Sequence, residues 1–301
     1  MDETDRPVVV GVDGSGHSDR ALRWAVREAQ LRRASLTLVH VQGHDGISHA
    51  SASAVARLAD RLVADVVDRH SELLSTVEWD TLITSAPAGG AAHALLDAGR
   101  TAQMIVMGTR GLGGFAELLL GSTSHQVLMH ATTPVALIRT VEPPRGVTAE
   151  EHDGLRPIVV GVDHSPEARG ALRWALDEAT RRDVGVLVVH GLDAPSAPTL
   201  QALGLPVDIV AARLASARAA ARDEIDEQIH QALPMGAEVR IDRVIDDASA
   251  VVALQRYATA DHLLVVGTRG RRGFAELGPG SVSHQCAHHA AGPMVAVPHR
   301  P

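Results

Sequence analysis

The chain has 301 residues, 45% of them hydrophobic and 21% charged, the balance of a soluble globular protein long enough for two domains that each bury a core. Its net charge of −8 argues against a nucleic-acid backbone as partner, and the lack of any lysine among the 28 basic residues excludes a P-loop lysine, a Schiff-base lysine and a kinase-type strand lysine. No apolar run approaches the roughly 18 residues that span a bilayer, the acidic start Met1-Asp2-Glu3-Thr4-Asp5 is unlike a signal peptide, and a single cysteine, Cys286, fits a reducing cytoplasm.

Each half opens with a short apolar run, Pro7 to Asp13 and Pro157 to Asp163, of the kind that forms a strand buried on both faces. Helices follow. Leu22, Ala25, Val26 and Ala29 fall at helical spacing, and Ser165-Pro166 supplies an N-cap and a proline at the first helical position. Second strands are expected at Leu36 to Val41 and Val184 to His190, then long helices at Ala50 to Leu74 and Val210 to Leu233. Third strands are expected at Glu78 to Thr84 and Glu238 to Ile245. After a further helix, the fourth strands Met104 to Met107 and Leu263 to Val266 run straight into glycines. A last helix and a last strand close each half, the strands at Pro134 to Arg139 and Pro293 to Val297.

The two halves are copies. Asp13, Trp24 and His40 recur 150 positions later as Asp163, Trp174 and His190, while Gly108, Gly121 and Pro134 recur 159 positions later as Gly267, Gly280 and Pro293. The second copy therefore carries about nine extra residues between its second and fourth strands, where loops tolerate insertion. Strand alternating with helix predicts parallel sheets covered by helices on both faces, in two domains at residues 1–142 and 156–301, with a linker at 143–155.

The feature that carries chemistry is Gly108-Thr109-Arg110-Gly111, nine residues, then Gly121-Ser122, repeated as Gly267-Thr268-Arg269-Gly270, nine residues, Gly280-Ser281. A glycine loop feeding a helix offers backbone N–H groups and the positive helix end to a phosphate. Ser122, Thr123 and Ser124, and Ser281, Val282 and Ser283, open that helix and bring hydroxyls in five of six places. Arg110 and Arg269 can add charge. A tight turn alone would also use these glycines, but duplication at one spacing favours the phosphate. Asp13 and Asp163 stand at the ends of first strands, where they can accept from a ribose, hold a water on magnesium, or simply cap the turn.

With both motifs in view, the chain resembles the universal stress protein family in its tandem, ATP-binding form, whose signature Gly-x2-Gly-x9-Gly-Ser/Thr is complete in both halves. The resemblance implies an α/β, Rossmann-like fold of two five-stranded parallel sheets of order 3-2-1-4-5. It also implies adenine near Val12, Asp13 and Val41, with ribose and phosphates against Gly108, Arg110, Gly111, Gly121, Ser122, Thr123 and Ser124. In the second half the matching positions are Val162, Asp163, Gly267, Arg269, Gly270, Gly280, Ser281, Val282 and Ser283. Gly191 stands where the first half has Val41, which predicts a missing apolar wall and a weaker second site.

The implied ligand is ATP, with or without magnesium. The implied role is a nucleotide-dependent regulator or sensor in stress response with little or no turnover, the alternative being a slow magnesium-dependent ATPase or phosphotransferase. The implied assembly is a homodimer in which the last strands also pair the two halves of one chain, with a regulatory protein as a further partner. His284 and His288, four apart around Cys286, suggest zinc, but the first half has Met129 where the second has His288, and ligand sets need three or four members. Phe115 and Phe274 occupy matching places in the glycine loops and are expected to anchor them by packing.

Overall fold

The computed structural model describes residues 6–42, 52–85, 90–111, 120–139, 156–195, 199, 206–233, 236, 238–268 and 281–298. The linker, Phe115, Phe274, Arg269, Gly270 and Gly280 lie outside these residues. The chain divides into two compact units, Met1–Glu142 with Pro293–Arg300, and Pro143–Gly292 with Pro301.

The first unit runs β1 (Val8–Gly11), α1 (Gly16–Arg32), β2 (Leu36–Gln42), α2 (Ala52–Arg69), α3 (Ser71–Leu74), β3 (Trp79–Ser85), α4 (Gly90–Gly99), β4 (Met104–Gly108), α5 (Ser122–His130) and β5 (Val135–Ile138). Its strands lie in the order β3-β2-β1-β4-β5, all parallel. One more strand follows β5 there: β10 (Met294–Val297), from the far end of the chain, pairs antiparallel with it, Val295 opposite Ala136. The second unit runs β6 (Ile158–Gly161), α6 (Pro166–Arg182), β7 (Val186–Gly191), α7 (Val207–Ala232), β8 (Ile241–Asp246), α8 (Ala250–Tyr257), β9 (Leu264–Gly267) and α9 (Ser281–His289), with parallel strands ordered β9-β6-β7-β8.

The central strands are apolar because both faces are covered. Val8, Val9 and Val10 are buried, as are Ile158, Val159 and Val160, and each such side chain contributes about 1.5–3 kcal/mol by leaving water. α1 packs on β1 and β4, α4 packs with α5, and the pattern repeats with α6 on β6 and β9 and α8 with α9. Both leading helices start at a serine cap: Ser15 Oγ accepts from the Ser18 N–H at 3.2 Å and Ser165 Oγ from the Ala168 N–H at 3.1 Å, with Pro166 in the first helical turn. Both end on a left-handed residue that is not glycine, Arg33 at φ 51° and Asp183 at φ 53°.

The long helix expected from 50 to 74 is divided. Its backbone leaves helical geometry at His70 (φ −116°, ψ 17°), whose buried ring lies 3.4 Å from Asp19 on α1. Among the described residues, no helix is long and apolar enough to cross a membrane.

Candidate functional site

In each unit the first and fourth strands pair side by side, and in the first unit the turns that follow them meet at Asp13 and Gly111. Asp13 closes the β1–α1 turn by accepting the Ser15 N–H at Oδ1, 2.9 Å away, and Asp163 does the same for Ser165 at 3.0 Å. The second oxygen of Asp13 points at the glycine loop: a Cβ on Gly111 would run into Asp13 Oδ2. The aspartate and the glycine motif, nearly a hundred residues apart, thus converge on one crevice at the carboxyl ends of the strands, where open α/β sheets bind ligands.

The floor beside them is held rigidly. Val12 is buried, its N–H bonds Val39 O at 2.9 Å, and its carbonyl accepts from His40 Nδ1 at 2.8 Å. Since a carbonyl only accepts, the proton sits on Nδ1 of His40. His190 holds the Val162 carbonyl in the same way at 2.9 Å. Val41 lies half-buried at the end of β2, opposite Thr84 of β3.

The three motif glycines of the first unit have different causes. A Cβ on Gly108 would come within 2.9 Å of His17 Cβ and 3.0 Å of its carbonyl, so α1 packing demands glycine there. Gly111 is kept bare by Asp13. Gly121 meets no such conflict, its nearest neighbour being Thr109 O at an ordinary 3.5 Å. Among the described residues, nothing requires glycine at 121.

Gly121 also caps α5 without any side-chain hydrogen bond, unlike Ser15 and Ser165 on their helices. Its own N–H is taken by Thr109 O at 2.8 Å, which joins the two ends of the glycine loop. The N–H groups of Ser122, Thr123 and Ser124 belong to the first turn of α5, where the helix supplies no carbonyl partners and its positive end favours an anion. Ser122 is exposed and Thr123 half-buried, but the Ser124 hydroxyl is buried and donates to Gly108 O at 2.9 Å. Ser283 likewise donates to Thr268 O at 2.9 Å. These two hydroxyls tie the last helix to the fourth strand, so their protons are committed within the fold.

Beside the first crevice, three arginines and the carboxylate Asp13 act on His17. Burial, then Arg110 and Arg20, and more weakly Arg139, hold the His17 imidazole below its usual range, while Asp13 opposes them. Arg139 is itself lowered by burial and by Arg110.

The second crevice encloses about 590 Å³ and gathers Val162, Asp163, Gly267, Ser281, Val282 and Ser283 on one wall or another. Gly191 lines it too, and no gap follows from the missing side chain. A Cβ at 191 would lie 2.5 Å from Ala250 N and 2.6 Å from its Cα, because the start of α8 occupies the place where the first half carries the Val41 side chain. Ser249, Ala250 and Val251 form that wall. It is fixed by pairing of Leu192, Asp193 and Ala194 N–H groups with the carbonyls of Asp246, Ala248 and Asp247, and by Arg218 on Asp247.

Sequence reading did not find these wall residues, because an irregular loop carries no periodicity. Nor did it single out His164, which replaces Gly14 in the second crevice and faces Glu224 of α7; comparing the repeats position by position would have revealed it.

The family model of the universal stress protein family matches residues 5–139 and again 154–298, one match per copy of the glycine motif. The chain belongs to the universal stress protein family. A universal stress protein of Mycolicibacterium smegmatis is 31% identical over 98% of this chain and 97% of its own. Among solved structures, a universal stress protein from Archaeoglobus fulgidus covers 97% of this chain and 98% of its own at 16% identity and a TM-score of 0.63, which shows the shared tandem fold. A shorter family member from the same organism, solved in complex with dAMP, spans 44% of this chain and 98% of its own at 24% identity and a TM-score of 0.36; that ligand is a property of that protein. Within the family the matched segments leave out 140–153, the stretch rich in proline, glycine and charge.

Proposed function

We propose that this universal stress protein binds ATP at the crevice between Asp13 and the start of α5, and an adenine nucleotide at the matching crevice of its second unit, as a regulator rather than a catalyst of turnover. Gly121 carries this reading: it is bare without any steric demand from the described chain, and it stands before a helix start whose N–H groups have no side-chain cap. In this reading Asp13 Oδ2 accepts from the ribose while Oδ1 keeps the turn, Val12 and Val41 flank the base, and the amides of residues 122–124 hold phosphate with Arg110 as counter-charge.

Domains at 1–142 and 156–301 and a homodimer acting on a protein partner complete the proposal. Calorimetric titration of the whole chain with ATP tests it. Gly121→Val is expected to weaken binding at the first site at least about tenfold and, because glycine is favoured over valine at the N-cap of α5, to lower stability by about 1 kcal/mol, which urea unfolding separates from the loss of binding. Equal affinity in the variant and the parent would remove the reading.

A further inference from the structure

The sheets of the two units end on strands that correspond in place and differ in what they expose. β3 pairs with β2 and β8 with β7 in one register, since Leu36 stands beside Trp79, and Val186, 150 positions after Leu36, stands beside Ile241. Thr81 therefore corresponds to Arg243, Leu82 to Val244 and Thr84 to Asp246. Among the described residues, no strand pairs with the outer side of either.

β8 is guarded in a way common to free edges, by charge. Arg243 reaches Asp226 of α7 at 3.0 Å, and Asp246 pairs with Arg256. β3 lacks such devices. Its seven residues, Trp79 to Ser85, include a single charge, Asp80, with no proline or glycine, and Trp79 and Leu82 are 39% and 42% exposed.

The outward backbone of β3 is also self-matching. Glu78 O accepts from the Leu36 N–H at 2.8 Å, so the two-residue period of a strand turns the backbone groups of Asp80, Leu82 and Thr84 toward β2. Those of Trp79, Thr81, Ile83 and Ser85 turn outward. An antiparallel copy of the same strand, related by a two-fold axis at Leu82, sets Trp79 opposite Ser85 and Thr81 opposite Ile83. All the outward residues then exchange hydrogen bonds, Leu82 meets Leu82, and Asp80 falls opposite the hydroxyl-bearing Thr84 rather than another carboxylate.

We propose that β3 is a dimer interface, at which two copies of this chain join their sheets through antiparallel β3 edges centred on Leu82. It supplies a surface for the homodimer of the reading above and rests on that part of it alone. A single strand pair buries little area, so the dimer belongs to the transient class and dissociates on dilution through the micromolar range.

Sedimentation velocity of the whole chain between about 1 and about 200 µM tests it. The parent is expected to dimerise, and Leu82→Arg, which sets like charges directly opposite, to raise the dissociation constant at least about tenfold. Leu82→Glu is expected to do the same alone. An equal mixture of the two variants is expected to regain the dimer, which separates a broken interface from a failed fold. Leu82→Cys reports the register: Cys286 is buried, with its thiol pushed up to about 12 by burial, so oxidative cross-linking of two chains runs through position 82. A parent that stays monomeric overturns both this interface and the homodimer reading. A dimer that survives Leu82→Arg, a mixture that stays monomeric, or a dimer that does not cross-link through Leu82→Cys overturns the interface alone.

Discussion

At the scale of single residues, glycines that look alike in the sequence answer to different forces. Gly108 serves packing of α1, Gly111 leaves room for Asp13, and Gly121 meets no steric demand from the described residues. The motif's spacing was legible, but this division was not, since it depends on which atoms of residue 17 come to rest against β4. The same holds for Gly191, whose role is set by the backbone of Ala250, and for Ser124, whose hydroxyl turns inward to Gly108 O. Gly108→Ala is expected to lower stability by about 1–3 kcal/mol, the usual consequence of overpacking against backbone, and urea unfolding would measure it. Unchanged stability would mean that α1 yields at no cost and that the glycine has another reason.

At the scale of elements, the alternation of strands and helices could be read almost throughout, because buried parallel strands are continuous apolar runs and serine caps mark helix starts. The break at His70 could not, because neither glycine nor proline marks it in the sequence; the buried ring comes to rest 3.4 Å from Asp19 of α1. The turn between β8 and α8 was equally hidden, yet it builds the wall of the second crevice. Asp246 anchors it: the Ala248 N–H first, then Arg256 and Tyr257, hold this carboxyl below its usual range against the opposing effect of burial. A carboxyl with a depressed native value contributes stability in full above the unfolded value, near about 3.9, and loses it as pH falls through the native value. Asp246→Asn keeps an acceptor for Ala248 but drops the charge. It is expected to destabilise the protein by about 1 kcal/mol at neutral pH, with the difference from the parent shrinking below about pH 4. A gap that stays constant down to low pH in urea titrations would count against this anchor.

At the scale of the whole molecule, the duplicated sequence encodes two crevices of one design that its substitutions have made unequal. The resemblance in the glycine motifs announced the family and both crevices, while the backbone groups that β3 turns away from β2 became visible only with the pairing register. The last strand, β10, pairs with β5 and so belongs to the compact unit built from the first half, a placement that no local pattern in Met294–Val297 could announce. What unites these observations is the claim that Asp13 and the start of α5, far apart in the chain, form the two sides of one ATP site. An ATP titration of the whole chain followed by backbone amide NMR tests it most directly. The account predicts that the largest shifts fall on Asp13, Gly111 and Gly121 to Ser124 and saturate with a Kd below about 1 mM; shifts centred elsewhere, or none in the millimolar range, would contradict it.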